Sequence, residues 1–590
     1  MDKRTVLAMV IIAIIIILMP YYQKLLNGNK PVETVKHEEV KKIDSTRSVS
    51  DNKIEKKLNK TETIRAIDTT SNKPENVKKE LLKSIKQDNN EKFIQITTNK
   101  IKVKLSNKGG GNLQGFELLK YDRYDSNKVD MINNEIKNDV HLSFQNPAGE
   151  FIETGNYLFT CDNEISNKFL DKSESFKIKY SLKIGDDFLE KTLIFYGDLY
   201  NFDVVIKFSN PSKMVLNRQY EFGWQNGLPP TEPNFSDDYN YCQAYVYMGG
   251  ELDGYQLSKP GKKELVTYSG TADWLAVRTK YFITAIMSKN ADISEGIYFS
   301  GEGIQKKDYV QRLYNFGYNV RYENDQSGDT LSVYSGPLDI SELKYYHNHL
   351  DNLVMNNGWY EHTFRFISLF ILKLLQFFHT FIPNYGIVII IFSILVKVVL
   401  YPLTKKSYSS MKDMQKIQPL MAEIREKYKD DSQRMNSEMM KLYKEHGVNP
   451  VGGCLPMILQ MPLLIALFIV FRSTIQLRGA MFIPGWITDL SRPDTIFTLP
   501  FSLPMYGNEF NILPILMALT MIFQSKMTMQ DPKQKAMVYV MPIFMLLIFN
   551  RFPSGLNLYY TLFNLLTIVQ QKFISKGRDE QPNIKMAKVK

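Results

Sequence analysis

The sequence predicts a multi-domain membrane protein with six transmembrane helices, one at the start and five toward the end, and a large all-β sandwich exported between them. Three observations carry this. Val6 to Met19 and the region from Phe364 onward are nearly pure hydrocarbon, although the 590 residues as a whole are 44% hydrophobic. From Lys92 to about Leu343 apolar and polar residues alternate with a period of two, as in strands with one buried face. Lys and Arg gather in particular loops between the apolar runs, as they do on the cytoplasmic side of a membrane. The formal charge of +11 forms no single basic face, so DNA is not an expected partner. No nucleotide-binding G-x-x-x-x-G-K-[ST] loop and no zinc-ligand spacing occurs, so no cofactor is expected. Cys161 and Cys242 fall in the sandwich, where a disulfide is compatible with their positions but not demanded by them.

Residues 1–26 carry Lys3 and Arg4 before the apolar run. Pro20, Tyr21, Tyr22 and Gln23 follow it in place of a small-x-small cleavage site, so an uncleaved anchor with a cytoplasmic N-terminus is expected rather than a signal peptide. Residues 27–90 are charged, without an aromatic, and too polar to fold: a disordered linker. Residues 91–345 form the sandwich, with strands in "KFIQITTNKIKVKL", "SFKIKYSLKI", "TLIFYGDLYNFDVVIKF" and "YFITAIM", and turns at Gly109 to Gly111 and at Asn210 and Pro211. The aromatic cluster "DDYNYCQAYVYMGG" admits two readings, a ligand cleft or ordinary sheet packing.

Residues 363–382 give an amphipathic helix. At about 100° per residue Arg365, Ser368, Lys373, Gln376, His379 and Thr380 share one arc, which places the helix in the membrane interface with His379 on its wet face. Five spans follow within 383–575, at about 385–403, 451–471, 512–524, 537–549 and 556–573. Residues 405–447 hold ten Lys and Arg, whereas Ser473 to Asn511 hold only Arg478 and Arg492. The basic loops, including the tail 576–590, therefore face the cytoplasm, as do both termini, and the sandwich lies outside.

Within "GIVIIIFSILVKVVLYPLTKK" stands Lys397. A lysine near the bilayer midplane costs roughly 2.5–3.5 kcal/mol on insertion scales. Ser393, Lys397, Tyr401 and Thr404 share a helix face, and Asn557, Tyr560, Asn564, Thr567 and Gln571 form a second polar seam in the last span; Gln460, Thr520 and Gln524 add to these. Lys397 could snorkel to the headgroups, and the seams could be interhelical glue. No Asp or Glu occurs in any of these spans, however, so a partner for the ammonium is expected from water or from a visiting chain. Residues 405–447 predict a helical hairpin with a turn at Asp430 and Asp431, and Ser432 as N-cap. Its apolar positions are rich in methionine, including Met411, Met414, Met435 and Met439. They suit either a hairpin packed on itself or an adaptable cap for apolar segments.

The stretches "LYPLTKKSYSSMKDMQKIQPLMAEIREKY", "HGVNPVGGCLPMILQMPLLIALF" and "MPIFMLLIFNRFPSGLNLYYTLFNLLTIVQQ", behind an anchor, an exported sandwich and an interfacial helix, resemble the bacterial YidC membrane protein insertases of the YidC/Oxa/Alb group. The resemblance spans nearly the whole chain. It implies a five-helix insertase core enclosing a hydrophilic groove, a periplasmic β-supersandwich, and location in the inner membrane. Where the family commonly has a groove arginine, this chain has Lys397; an arginine keeps its charge under almost any burial, and a lysine fills the same role in a wet groove. By the same matching Ser393 lies on the groove face, Met461 and Leu464 belong to an apolar slide, and Tyr559 or Tyr560 meets the incoming segment; the polar Gln460, Gln524 and Asn564 of the neighbouring spans are expected to line the groove as well. The implied activity is insertion, folding and assembly of membrane proteins without nucleotide hydrolysis, not an enzymatic reaction. The implied partners are nascent membrane proteins, the ribosome and membrane lipids, with or without the Sec translocon. A secondary transporter of an anionic solute is the alternative, although no internal repeat supports it.

Overall fold

The computed structural model describes residues 85–576, apart from 89, 134, 163–164, 258–259, 290–293, 449–454 and 529–534. The anchor 1–26, most of the linker 27–90 and the tail beyond Lys576 lie outside the described residues. The chain divides into two compact units, the boundary falling between Leu350 and Asp351.

Among the described residues the first unit is built of three sheets. The ten-stranded sheet contains Ser175–Ile184, Asp187–Tyr196 and Asn201–Phe208 as antiparallel neighbours, continued by Asp329–Pro337, Phe282–Ser288, Ala272–Arg278 and Gln243–Met248. A six-stranded sheet runs in the order Lys263–Ser269, Ser294–Gln305, Val310–Arg321, Gln219–Gln225, Asp139–Gln145 and Phe151–Glu153. Period-two patterning sets each face: in Asp187–Tyr196, Leu189, Leu193 and Phe195 are buried while Phe188 is exposed. The sheets meet through aromatic contacts such as Phe208 with Phe144 and Tyr220, at ring separations of 5.3 and 5.8 Å. The turn at Gly109 to Gly111 has φ of 65, 69 and 94°, and a Cβ on Gly111 would stand 2.8 Å from the Tyr180 ring.

One sequence expectation needs correction here, and two readings left open are decided. The linker ends earlier than 90, because Ile85–Lys86 already pairs with Lys183 and Ile184. Phe93–Thr97 runs parallel to Asn167–Phe169. The cluster "DDYNYCQAYVYMGG" is no aromatic cleft: Tyr239, Tyr241 and Tyr245 are buried and Tyr247 stacks on Trp274, so the aromatics fill sheet packing. Cys161 and Cys242 form no disulfide.

The second unit is helical: α1 (Trp359–His379), α2 (Tyr385–Lys416), α3 (Gln418–Lys427), α4 (Ser432–Glu445), α5 (Leu455–Ser473), α6 (Ile512–Thr528), α7 (Lys535–Phe549) and α8 (Ser554–Lys576). Among the described residues α2 alone is long and apolar enough to cross a membrane by length and composition; Gln460–Ser473, Ile512–Met527 and Val538–Phe549 are apolar but shorter. Between α5 and α6 lies a two-stranded ribbon, Thr495–Leu503 with Gly507–Asn511. Asp494 then accepts from the Ile512 and Leu513 amides at 3.0 and 2.8 Å, closing the start of α6.

The amphipathic helix begins at Trp359, four residues before the predicted 363, and has three faces instead of two. Phe366, Phe370, Phe377 and Phe381 are exposed; Ile371, Leu372 and Leu375 are buried. The predicted wet arc is split. Lys373 and Thr380 are exposed, but Ser368 is fully buried, donating to the Ala466 carbonyl of α5 at 3.3 Å, and Arg365 donates to the Val354 and Asp351 carbonyls. His379 stacks on Tyr385 at 3.8 Å, at the corner between α1 and α2.

The hairpin also differs from expectation. Its first helix is not separate: α2 continues through Pro402 as far as Lys416 and breaks at Ile417, because Pro419 has no amide to bond the Gln415 carbonyl and its ring crowds that carbonyl, so Pro419 instead sits in the first turn of α3. The cap of α4 is Asp431, which accepts from the Arg434 amide at 3.0 Å, and Ser432 is the first helical residue. Ile417, Met421, Leu442 and Val448 form a small core packed by Met414 and Met439. Met411 and Met435 are half-buried, and Asp430 is exposed in the turn.

Candidate functional site

The polar stripes of α2 and α8 face each other. Lys397 is 7% exposed, and its Nζ donates to Thr567 Oγ1 at 2.6 Å while lying 3.8 Å from the centre of the Phe563 ring. Two turns on, Gln570 Nε2 donates to Thr404 Oγ1 at 2.7 Å. Toward α6, Asn564 Nδ2 donates to Thr520 Oγ1 at 3.3 Å. A polar layer thus joins α2, α8 and α6, and none of these three helices has an acid before Asp413 near the end of α2.

Sequence reasoning expected the ammonium's partner to come from water or a visitor. The chain itself supplies one in Thr567, with Phe563 beneath. Ser393, one turn before Lys397, is fully buried and donates to the Ile389 carbonyl at 2.7 Å. Tyr401 leaves the stripe and is 44% exposed, because it sits at the edge of the face that Ser393, Lys397 and Thr404 bury. Tyr559 is fully buried between Phe392 and Phe563, so in this arrangement it offers no surface to an incoming segment; Tyr560 is half-buried. Gln460 and Gln524 are half-buried on α5 and α6; Met461 is half-exposed and Leu464 half-buried.

Gln570 and Phe563 escaped the sequence reading. Gln571 belongs to the seam, hydrogen-bonded with Tyr408 of α2 as Thr567 is, and Gln570 adds its bond to Thr404. Spacings of three and four both keep a residue on one helix face, so the pattern fits either glutamine. Four side-chain atoms of α8 are buried with no hydrogen-bond partner among the described residues: Asn557 Oδ1, Tyr559 Oη, Tyr560 Oη and Gln570 Oε1. Buried polar atoms are almost always satisfied, by water where protein does not reach them.

Comparison with known proteins bears on what this layer serves. Residues 93–374 match the family model of the YidC periplasmic domain, and residues 377–581 match that of the 60Kd inner membrane protein. The membrane protein insertase YidC of Prosthecochloris aestuarii is 34% identical over 585 residues, 98% of this chain and 95% of that protein. This chain belongs to the YidC family of membrane protein insertases. The YidC of Chlorobium luteolum is 36% identical over 470 residues, 79% of this chain and 80% of that protein. A solved YidC insertase with its first transmembrane domain resolved is 18% identical, covering 82% of this chain and 93% of that one, with a TM-score of 0.34. The sandwich is thus a YidC periplasmic domain, and the helical unit is the part that corresponds to the inner membrane protein. YidC relatives are named insertases, which favours that function over a transporter of anionic solutes and over an enzyme.

Proposed function

We propose that the α2–α8–α6 polar layer is the wall of a hydrated, cationic recess through which this insertase passes the polar flank of a substrate helix. The carrying observation is Lys397: a buried ammonium on an apolar helix, held by a hydroxyl and a ring, with no carboxylate on the surrounding helices. The unsatisfied atoms of α8 support the presence of water beside it.

The energetics give the mechanism. A substrate helix gains roughly 0.3–0.6 kcal/mol for each Leu, Ile, Phe or Val that enters lipid, and each charge in its translocated flank costs several. Water and an ammonium partway into the membrane shorten the apolar path of that flank and attract its Asp and Glu side chains. Burial of the substrate helix past Met461 and Leu464 then drives completion, with Tyr560 as the aromatic contact, and Ser393, Gln460, Gln524 and Asn564 lining the polar path. No nucleotide is consumed. A membrane potential positive outside favours export of an acidic flank.

In this reading six spans cross the inner membrane with both termini cytoplasmic, and the methionine-bearing hairpin receives nascent chains from the ribosome. The protein acts as insertase and chaperone, alone or beside the Sec translocon. Photocrosslinking from positions 397 and 560 to ribosome-bound nascent chains tests it: adducts with the substrate's flank at 397 and with its apolar segment at 560 are expected, and adducts at neither position would overturn it.

A further inference from the structure

The outward face of the six-stranded sheet in the periplasmic unit carries a separate cleft. Its strands pair in antiparallel register, so facing residues can be read across them. One row runs Thr267, Tyr298, Gly317, Gly223, His141. The two glycines leave the middle of the row without side chains, and the Tyr298 phenol lies across the gap. A Cβ on Gly223 would stand 2.9 Å from its Oη, and one on Gly317 3.0 Å. That hydroxyl reaches His141 Nε2 at 3.4 Å. The adjoining rows set Glu221 opposite Asn319 and Asn315 opposite Ser300. Together they line an open cleft of about 370 Å³, within the size range of small-molecule sites. At about 30 Å³ each, that is the space of about a dozen waters.

A merely solvated sheet face carries long charged side chains. Here eight of the nine lining residues, all but Leu265, have hydrogen-bonding side chains and none is Lys or Arg, in a chain that has 73 of them. Glu221 is the one carboxylate in the lining. Burial, aided by the nearby Lys191 charge, lowers the His141 imidazole to about 4, so it is neutral at ordinary pH. Its Nδ1 is buried and finds no partner among the described residues. An anion would meet no cation among the lining residues, and an apolar side chain would meet only Leu265.

We propose that this cleft binds a neutral saccharide. Each sugar hydroxyl both donates and accepts, which matches a lining of amides, hydroxyls, one imidazole and one carboxylate. The proposal is independent of the insertase reading.

Isothermal titration calorimetry on the full chain tests it. The protein should be in lipid nanodiscs free of glycolipid and alkyl-glycoside detergent, either of which would compete. N-acetylglucosamine, galactose and maltose serve as probes, with glucuronate as the anionic comparison. Saturable binding of at least one neutral sugar in the millimolar range is expected, tighter than glucuronate and weakened about tenfold in Tyr298→Phe and in Asn319→Ala at unchanged Tm. The proposal falls if none of the three sugars binds up to about 100 mM, if glucuronate binds as tightly, or if both variants bind as the unmodified chain does.

Discussion

Replacing Lys397 by alanine separates its charge from its packing. Thr567 keeps its own bond to the Phe563 carbonyl, at 2.7 Å, so the substitution strands no hydroxyl. It removes a mid-membrane insertion penalty of roughly 2.5–3.5 kcal/mol and forfeits burial of the lysine stem worth about 2–3 kcal/mol. The two nearly cancel, and stability should move by less than about 1 kcal/mol. Insertion should respond far more. A substrate carboxylate about 6 Å from the ammonium, at an effective dielectric of about 20, is attracted by about 3 kcal/mol, about a hundredfold in its occupancy of the recess. In proteoliposomes, protease protection of the translocated flank of a small Sec-independent substrate reads this directly. Lys397→Ala should slow a substrate with an acidic flank, Lys397→Glu should slow it further, and Lys397→Arg should leave it nearly unchanged. The same substrate with its flank Asp changed to Asn should be indifferent to all three. Equal insertion by the Ala and Arg variants, or equal losses on acidic and neutral flanks, would refute the reasoning.

Asp494→Ala removes the acceptor of two α6 amides and should lower stability by about 1–2 kcal/mol, with Asp494→Asn recovering much of it, measured by thermal unfolding in micelles. Asn550 donates to the Tyr506 and Glu509 carbonyls at 3.0 and 2.8 Å and accepts from Asn511; Asn550→Ala should cost about 3 kcal/mol and speed hydrogen exchange in the 495–511 ribbon. Leu442→Ala opens the hairpin core and should destabilise it locally by about 2–3 kcal/mol, seen as faster exchange in α3 and α4 with α8 unaffected. His141 should weaken the periplasmic unit on acidification, while Asp238 and Asp329, whose carboxyls burial raises to about 6, act in the opposite direction. The folded His141 titrates near 4 against an ordinary 6.5, so between those values this site binds more protons in the unfolded chain and its contribution to stability falls as pH falls. Denaturation followed by fluorescence of the buried Trp224 and Trp274 should show the histidine's share as a difference, the unmodified chain losing more stability than His141→Gln between about pH 6.5 and 4.

How much of this could be read from residues alone depended on the range of the interactions. Strands such as Ser175–Ile184 follow from period two, and α2, α5, α6, α7 and α8 follow from apolar runs, because both patterns are local. Lys397 stood out because it is a cation in hydrocarbon. Its partner did not, since Thr567 lies 170 residues away and only the packing of α8 on α2 selects it. The same packing added Gln570 to the seam beside Gln571 and sealed Tyr559 while leaving Tyr560 half-open. The wheel of α1 shows two faces in sequence, and a third appears because α5 covers Ser368 and its neighbours. The saccharide cleft was invisible, because its row of five residues comes from five strands whose register no local pattern reveals.

The unbroken course of α2 makes it a lever. From Lys397 to Lys416 the rod extends about 28 Å at 1.5 Å per residue. A tilt of one degree about the buried end therefore swings the far end by about 0.5 Å. Anything that grips the cytoplasmic hairpin consequently pulls on the shaft that carries the ammonium, and Pro402, which lacks an amide to close its turn, is the weakest point along it.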